Sequence, residues 1–243
     1  MNAPLVELTY QVWKLAGRAI RVLDVGAAIG DTILLLHANL PEALSAFVCV
    51  EGDPEFFGYL SRNLSCLANG RLLNVLLSDR EGPIPQLVRI HSGTASAQGT
   101  ANSRATTLET EIVEDIDVIK IDVDGFDGRV LMGARDLLKR CHPAVIFEWH
   151  PILCQQTGNN WTDHFDVLIG CGYTKFVWYS KFGKFSHFTF NYSFDEVAAL
   201  AEYCLGEIEA DWHYDIIALH ESIDIPLQSL ARLEFAASRP SPY

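Results

Sequence analysis

The stretch Asp24 to Thr32 reads DVGAAIGDT, and the short apolar run at 20–23 leads into it. Two glycines and two carboxylates stand where a buried strand gives way to a helix, a place where a backbone turn holds a ligand. Three nucleotide patterns can be tested on it. A phosphate-binding P-loop ends in Gly-Lys-Ser/Thr, and the chain has no such ending here. A dinucleotide turn reads GxGxxG. Counted from Gly26, its other two glycines fall on Ala28 and Asp31. What remains is Asp24, Gly26 and Gly30 spaced DxGxxxG. Asp31 at the opening of the helix competes with phosphate for the positive helix end.

Working outward, apolar runs at 20–25, 46–51, 72–77, 118–123 and 144–148 predict buried strands. Helical patterns lie between most of them, at 31–38, 54–67 (Asp53 as N-cap, Pro54 at the first helical position) and 129–139, with a weaker one at 161–169. Such alternation predicts an α/β fold, Rossmann-like and doubly wound, with a mostly parallel sheet. The last third departs from it. Residues 173–190 read as two aromatic-rich strands around a turn at 181–183, followed by a helix at 194–205 and a strand at 214–219, an antiparallel C-terminal edge. The small-polar segment 91–107 reads as a loop, a lid or an ordinary surface connection. One domain is expected over 1–243, with a cofactor-binding core at 20–151 and acceptor-side and sheet-edge elements at 152–237. The tail from Ser238 is expected to be loose.

The chain has 243 residues, 49% hydrophobic and 20% charged, a composition that supports one sizeable core. A net charge of −13 disfavours nucleic acid and anionic membrane surfaces as partners. No apolar run approaches the roughly 20 residues a membrane span needs, and no secretory pattern opens the chain. The six cysteines are scattered without a CxxC pair and read as reduced thiols. A cytoplasmic location fits these features; oligomeric state is left open.

In an open α/β sheet, ligands bind at the carboxyl ends of the strands. Glu51 ends the second strand 27 residues after Asp24, where a carboxylate accepts two ribose hydroxyls. Ser78 and Asp79 follow the third strand. An acidic, glycine-bearing pocket without a phosphate cradle suits a cationic ligand that carries a ribose and no phosphate. S-adenosylmethionine is such a ligand. Glycine turns after strands are also common in α/β folds, so the acids at neighbouring tips carry more weight than the turn.

The residues resemble a known family. VLDVGAAIGDT, FVCVEGDPEFFGYLSRNL, LLSDREG, IDVIKIDVDGFDGRVLMGARDLL and VIFEWHP look like successive motifs of the FkbM-type S-adenosylmethionine-dependent methyltransferases, from about Val22 to Pro151. Gly172-Tyr173, YSKFG and YDIIAL look like its weaker C-terminal marks. KIDVDGFD is the most specific piece, since the family commonly reads Lys-Ile-Asp-Val-Glu-Gly. Asp124 and Asp127 are shorter acids than the usual glutamates, and two residues separate Glu51 from Pro54 where the family more often reads Phe-Glu-Pro. The resemblance implies a class I methyltransferase architecture and methylation of a hydroxyl oxygen, often on a sugar or polyketide. By it, Gly26 and Gly30 line the methionine part of the cofactor, Glu51 takes the ribose, and Ser78 and Asp79 lie near the adenine. The candidate cofactor contacts are therefore Asp24, Gly26, Ala27, Gly30, Asp31, Thr32, Glu51, Gly52, Ser78, Asp79 and Asp122. A small-molecule or glycan acceptor is implied.

Methyl transfer requires an acceptor oxygen aligned with the sulfonium methyl and a group that takes its proton. The fourth strand ends with Lys120, Asp122, Asp124 and Asp127, and the fifth with Glu148 and His150. His150 is the first choice of base, since its ordinary pKa is about 6.5. Glu148 is expected to orient it or hold an acceptor hydroxyl. Asp122 is the second candidate base or a contact to the cofactor's amino group. Alternatively Asp122, Asp124, Glu148 and His150 bind a divalent ion such as Mg²⁺. Structurally, His150 can simply end a strand before Pro151, and Lys120 can partner a carboxylate. The remaining histidines, His213 among them, have no spacing that suggests a metal site. The aromatics of 176–190 and Trp161 fit core packing or an acceptor platform. Two other classes stay open: a non-catalytic methyltransferase-like binding domain, and a nicotinamide-dependent oxidoreductase, which the missing glycines oppose.

Overall fold

A computed structural model of the chain describes residues 1–84, 87–91, 94–97, 103–207 and 211–238. Its centre is an eight-stranded sheet. Five strands are parallel: β1 (Ile20–Val25), β2 (Leu44–Val50), β3 (Gly70–Leu73), β9 (Val118–Ile121) and β10 (Ala144–Trp149). β11 (Tyr173–Ser180), β12 (Phe185–Phe190) and β13 (Tyr214–His220) complete it with antiparallel pairings. The spatial order is β12-β11-β13-β10-β9-β1-β2-β3. The chain winds outward from β1 to β3, then returns to β9 on the other side of β1. That reversal opens a crevice at the carboxyl ends of β1 and β9.

Alternate residues of the strands feed two cores. Leu23, Val25, Ile119, Ile121, Val145 and Phe147 face one layer, packed by helices α4 (Leu108–Glu111), α5 (Asp127–Met132), α6 (Arg135–Cys141), α8 (Asp163–Gly170) and α9 (Phe194–Gly206). Val22, Cys49, Val118, Ile146 and Ile217 face the other, under α1 (Asn2–Ala16), α2 (Asp31–Asn39), α3 (Pro54–Asn63) and α10 (Leu227–Arg232). Each fully buried Leu, Ile, Val or Phe contributes about 1.5–3 kcal/mol, so this two-sided burial makes the sheet a stiff base for whatever hangs from its strand ends. Capping follows the sequence: Asp53 accepts from the amides of Glu55 (2.8 Å) and Phe56 (3.1 Å), with Pro54 opening α3.

Several expectations are corrected. The run at 72–77 is not one strand. β3 ends at Leu73, and β4 (Leu76–Leu77) joins β5 (Gly82–Ile84) and β8 (Ser103–Thr106) in a separate small sheet. Asn74 forms the exit, its side-chain amide donating to the Glu51 carbonyl at 2.8 Å. Ser78 and Asp79 therefore follow β4, not a strand of the central sheet. The helix at 129–139 is two helices. Gly133 lies at the break because a Cβ there would stand 2.2 Å from the Ser78 carbonyl oxygen, so two backbones meet where only glycine fits. The segment 91–107 holds β7 (Thr94–Ala97) and β8 and the last residue of β6 (Leu87–His91), so it is not a plain loop; 92–93 and 98–102 lie outside the described residues. The tail residues 239–243 also lie outside them. Helix α1 was not legible because it is buried nearly all round, at Leu5, Val6, Glu7, Leu8, Thr9 and Val12, and shows no single apolar stripe. The short helices α7 (Pro151–Gln156) and α11 (Glu234–Ala237) were also unforeseen. Among the described residues no helix is long and apolar enough to cross a membrane.

Candidate active site

The DVGAAIGDT turn closes β1 against β2: the amides of Gly26 and Ala27 both donate to the Val50 carbonyl at 3.0 Å. Gly26 has φ 74°. A Cβ there would stand 1.8 Å from the Asp122 carbonyl oxygen, so the turn lies directly on the end of β9. Gly30 is the N-cap of α2, Asp31 is exposed in its first turn, and Ala27 and Thr32 are buried. Beneath the turn, Asp24 is fully buried and its Oδ1 lies 3.1 Å from Lys120 Nζ. The Lys120 ammonium also donates to the Gly26 carbonyl at 2.9 Å and stands 3.6 Å from Asp122 Oδ2. Burial pushes the Asp24 carboxyl up from its ordinary value, with Lys120 opposing. Burial works against the Lys120 charge, but Asp24 and Asp122 outweigh it and raise its pKa. Lys120 is thus the carboxylate partner that its sequence context allowed, and it fixes strand, turn and neighbouring strand together.

Glu51 is buried at the end of β2. Its Oε2 accepts from the Ala28 amide at 2.8 Å and its Oε1 from the Asp53 amide at 2.7 Å. Each oxygen keeps a further lone pair. Burial raises the Glu51 pKa, and the two amide bonds oppose that. Beyond Gly52 a cavity of about 490 Å³ opens, bordered among others by Asn74, Leu76, Arg104 and Thr106. Ser78 connects to that wall by donating its amide to the Thr106 carbonyl at 2.9 Å. The Ser78 hydroxyl donates to Asp79 Oδ1 at 2.9 Å, and Arg129 lies 3.7 Å from the same oxygen.

On the other side of the turn, three strand ends converge. β9 brings Asp122 and, just beyond, Asp124 and the buried Asp127. β10 brings Glu148 and His150. β13 runs antiparallel beside β10, so its beginning lies with their ends and brings Asp215, preceded by Asp211 and His213. Glu148 pairs in register with Asp215 across the strands. Burial lifts the Glu148 carboxyl well above its ordinary value, and Asp122, Asp127 and Asp215 add to the effect. Burial, then Asp122, does the same to Asp127. Asp215 is raised by burial and offset by the Met1 amino group with which it pairs.

The histidine geometry corrects the expected pairing. Glu148 does not orient His150: Glu148 Oε1 lies 3.4 Å from His213 Nε2, whereas His150 Nε2 lies 3.0 Å from Asp211 Oδ1. The two imidazoles stack with centroids 4.9 Å apart. His150 is only 3% exposed, and its Nδ1 is buried without a hydrogen-bond partner. Burial lowers the pKa of both rings; the neighbouring His213 lowers that of His150 further. Nor do Asp122, Asp124, Glu148 and His150 converge as a metal-binding set. Among the described residues, the cluster with metal-ligand reach is His150, Asp211 and His213. Asp211 and His213 escaped sequence reading because the antiparallel edge was expected without an order of its strands, and it is the place of β13 between β10 and β11 that brings them to His150. The order Asp-Trp-His-Tyr-Asp just before an apolar strand was the available signal. Trp178, Tyr179 and Phe176 are core, Phe182 and Phe190 are exposed at the sheet edge, and Trp161 stacks on Phe194.

A crevice at the β1/β9 reversal, an acid at the end of β2 and an antiparallel β13 set between β10 and β11 make the architecture of the class I methyltransferase fold. The chain belongs to the FkbM methyltransferase domain family, whose model matches residues 24–175. An FkbM methyltransferase from Methylobacillus flagellatus KT is similar in fold, with a TM-score of 0.52 and 12% identity over 82% of this chain and 43% of that one. This chain thus spans less than half of that protein. A precorrin-6y C5,15-methyltransferase from Geobacter metallireducens GS-15 aligns at a TM-score of 0.46 with 14% identity, over 90% of this chain and 86% of its own. No curated protein matches the chain significantly in sequence.

The residues fit the cofactor the family implies. The turn is backbone-lined, closed to a side chain at Gly26 and free of a phosphate cradle, and Glu51 is held rigidly with lone pairs to spare.

Proposed function

We propose that this protein transfers a methyl group from S-adenosylmethionine to a hydroxyl oxygen of a small molecule or glycan of sugar or polyketide type. The observation that carries the reading is the convergence of Glu148, Asp122, His150 and His213 at strand ends next to the Gly26 turn. S-adenosylmethionine, when bound, supplies an electrophilic methyl on a sulfonium. Gly26, Ala27 and Gly30 offer backbone to its amino-acid portion, Glu51 accepts from the ribose hydroxyls, and the wall from Gly52 to Ser78 and Asp79 takes the adenine. Asp24, Asp31 and Thr32 shape the turn, with Asp24 acting through Lys120.

An alcohol attacks only as its proton departs. Glu148 is the base this environment favours, because burial, with Asp122 adding to it, lifts its pKa and makes it a stronger proton acceptor than an ordinary carboxylate. Asp122, part exposed beside Lys120, orients the acceptor or the cofactor's amino group. His150, enclosed and tied to Asp211, positions the acceptor wall and is less suited to take the proton itself. The acids of this wall repel phosphates, which favours neutral or cationic acceptors over nucleic acid.

Calorimetry with S-adenosylmethionine and its demethylated product tests the first half: absence of binding at millimolar concentration would sink the enzyme reading. A screen of sugars and polyketide alcohols, read by mass for a gained methyl, tests the second. Methyl transfer only to nitrogen or carbon would remove the hydroxyl assignment.

A further inference from the structure

Three side chains at the acceptor wall make a donor set that proton transfer alone does not require. His150 at the end of β10 and Asp211 and His213 just before β13 each offer a ligand atom, and these atoms lie within 4.8 Å of one another. We propose that His150, Asp211 and His213 form a binding site for a divalent first-row transition metal, of which Zn²⁺ and Co²⁺ are suitable probes.

Two imidazoles and one carboxylate suit such borderline ions, whereas Mg²⁺ prefers an all-oxygen shell. Donors that share an ion at about 2.1 Å stand about 3.0–3.4 Å apart. His150 Nε2 and Asp211 Oδ1 already stand at 3.0 Å. The third donor needs to close by at most about 1.5 Å to complete the set, within the reach of a side-chain rotation. Glu148 Oε1, 3.4 Å from His213 Nε2, supplies an oxygen on the flank of the set. His150 is buried and makes no hydrogen bond through Nδ1, so its hydrogen bonding orients the ring through the nitrogen that faces Asp211, with the stacked His213 beside it. Asp211 is 67% exposed, which leaves solvent access and open coordination positions on its side. A cation already stands beside the set: the Lys181 ammonium donates to the Asp211 backbone carbonyl at 3.1 Å.

Metal binding here stands without the methyl-acceptor assignment. A role for the ion in lowering the pKa of an acceptor hydroxyl rests on the proposed O-methyl transfer. The full chain, stripped by chelator and dialysed, is titrated with Co²⁺ and Zn²⁺. One ion per chain at micromolar affinity or tighter is expected, with visible Co²⁺ absorption bands characteristic of nitrogen ligation. Asp211→Asn and His213→Gln are each expected to weaken binding at least tenfold. Asp211 is exposed, so its variant keeps the test open if His150→Gln fails to fold; circular dichroism checks each fold. Absence of stoichiometric binding by the wild-type chain overturns the site. So does binding that both variants leave unchanged, which places the ion elsewhere. Calorimetry with S-adenosylmethionine on the stripped chain reports on the methyltransferase reading separately.

Discussion

Lys120→Met removes the ammonium that pairs with the fully buried Asp24 carboxylate. The Lys120 side chain is 6% exposed and Asp24 is 0% exposed, with 3.1 Å between the charges, so water cannot replace the lost ammonium. The Gly26 carbonyl also loses its 2.9 Å donor. Breaking a buried pair on one side costs about 3–5 kcal/mol, against a total stability of about 5–15 kcal/mol for a typical domain. Protonation of Asp24 limits the damage, and this gives the effect a pH signature. In the variant, Asp24 has a folded pKa raised above its unfolded value. Stability is therefore retained at low pH and lost as pH rises through the folded pKa. Urea denaturation followed by circular dichroism at pH 5, 7 and 9 is expected to show the variant's deficit growing with pH. The double variant Asp24→Asn/Lys120→Met is expected to recover most of the loss, since it leaves no charge to strand. A deficit below about 1 kcal/mol at pH 7, or a double variant no better than the single, would refute the reasoning.

Other perturbations have equally definite outcomes. Gly26→Ala drives a methyl toward the Asp122 carbonyl and is expected to cost about 2–3 kcal/mol of stability and to weaken S-adenosylmethionine binding at least tenfold, measured by thermal melting and calorimetry. Glu148→Gln is expected to lower turnover by about 10²–10⁴-fold on the identified acceptor. The same variant carries a stability test. Glu148 has a raised folded pKa, so its contribution is complete at acid pH and declines as pH rises through that value, and the glutamine variant should flatten that decline. His150→Ala is expected to lower turnover by less than Glu148→Gln does and to raise the KM for the acceptor, while leaving cofactor affinity within a few-fold; unchanged acceptor kinetics would remove His150 from the mechanism.

Local rules made the half of the site around β1 and β2, the proposed cofactor side, readable. Asp53-Pro54 announces α3, the alternating apolar runs announce β1, β2, β9 and β10, and Glu51 sits at the strand end where it was expected. The half around β10 and β13, the proposed acceptor side, was less readable because a long-range strand choice decides it. An antiparallel strand of the same composition fits at the sheet's edge or beside β10, and only the second option carries Asp211 and His213 to His150. The break in the run 72–77 was hidden for a similar reason: nothing local distinguishes a strand that continues from one that leaves after Leu73 to pair with β8. Glu148 and His150, two apart on one strand, invited a pairing that competing partners across the sheet redirect.

The insertion of β13 separates the two halves of the site along the chain. Asp24, Glu51 and Asp122 lie within the family match at 24–175, while Asp211, His213 and Asp215 lie outside it. Under the proposed function the donor's seat lies wholly within the matched segment, whereas the acceptor wall is composite: Glu148 and His150 come from inside the match, and Asp211, His213 and Asp215 join them from outside it by strand pairing. On that proposal, exchange of the residues preceding β13 is expected to alter the choice of acceptor while the donor's seat stays intact.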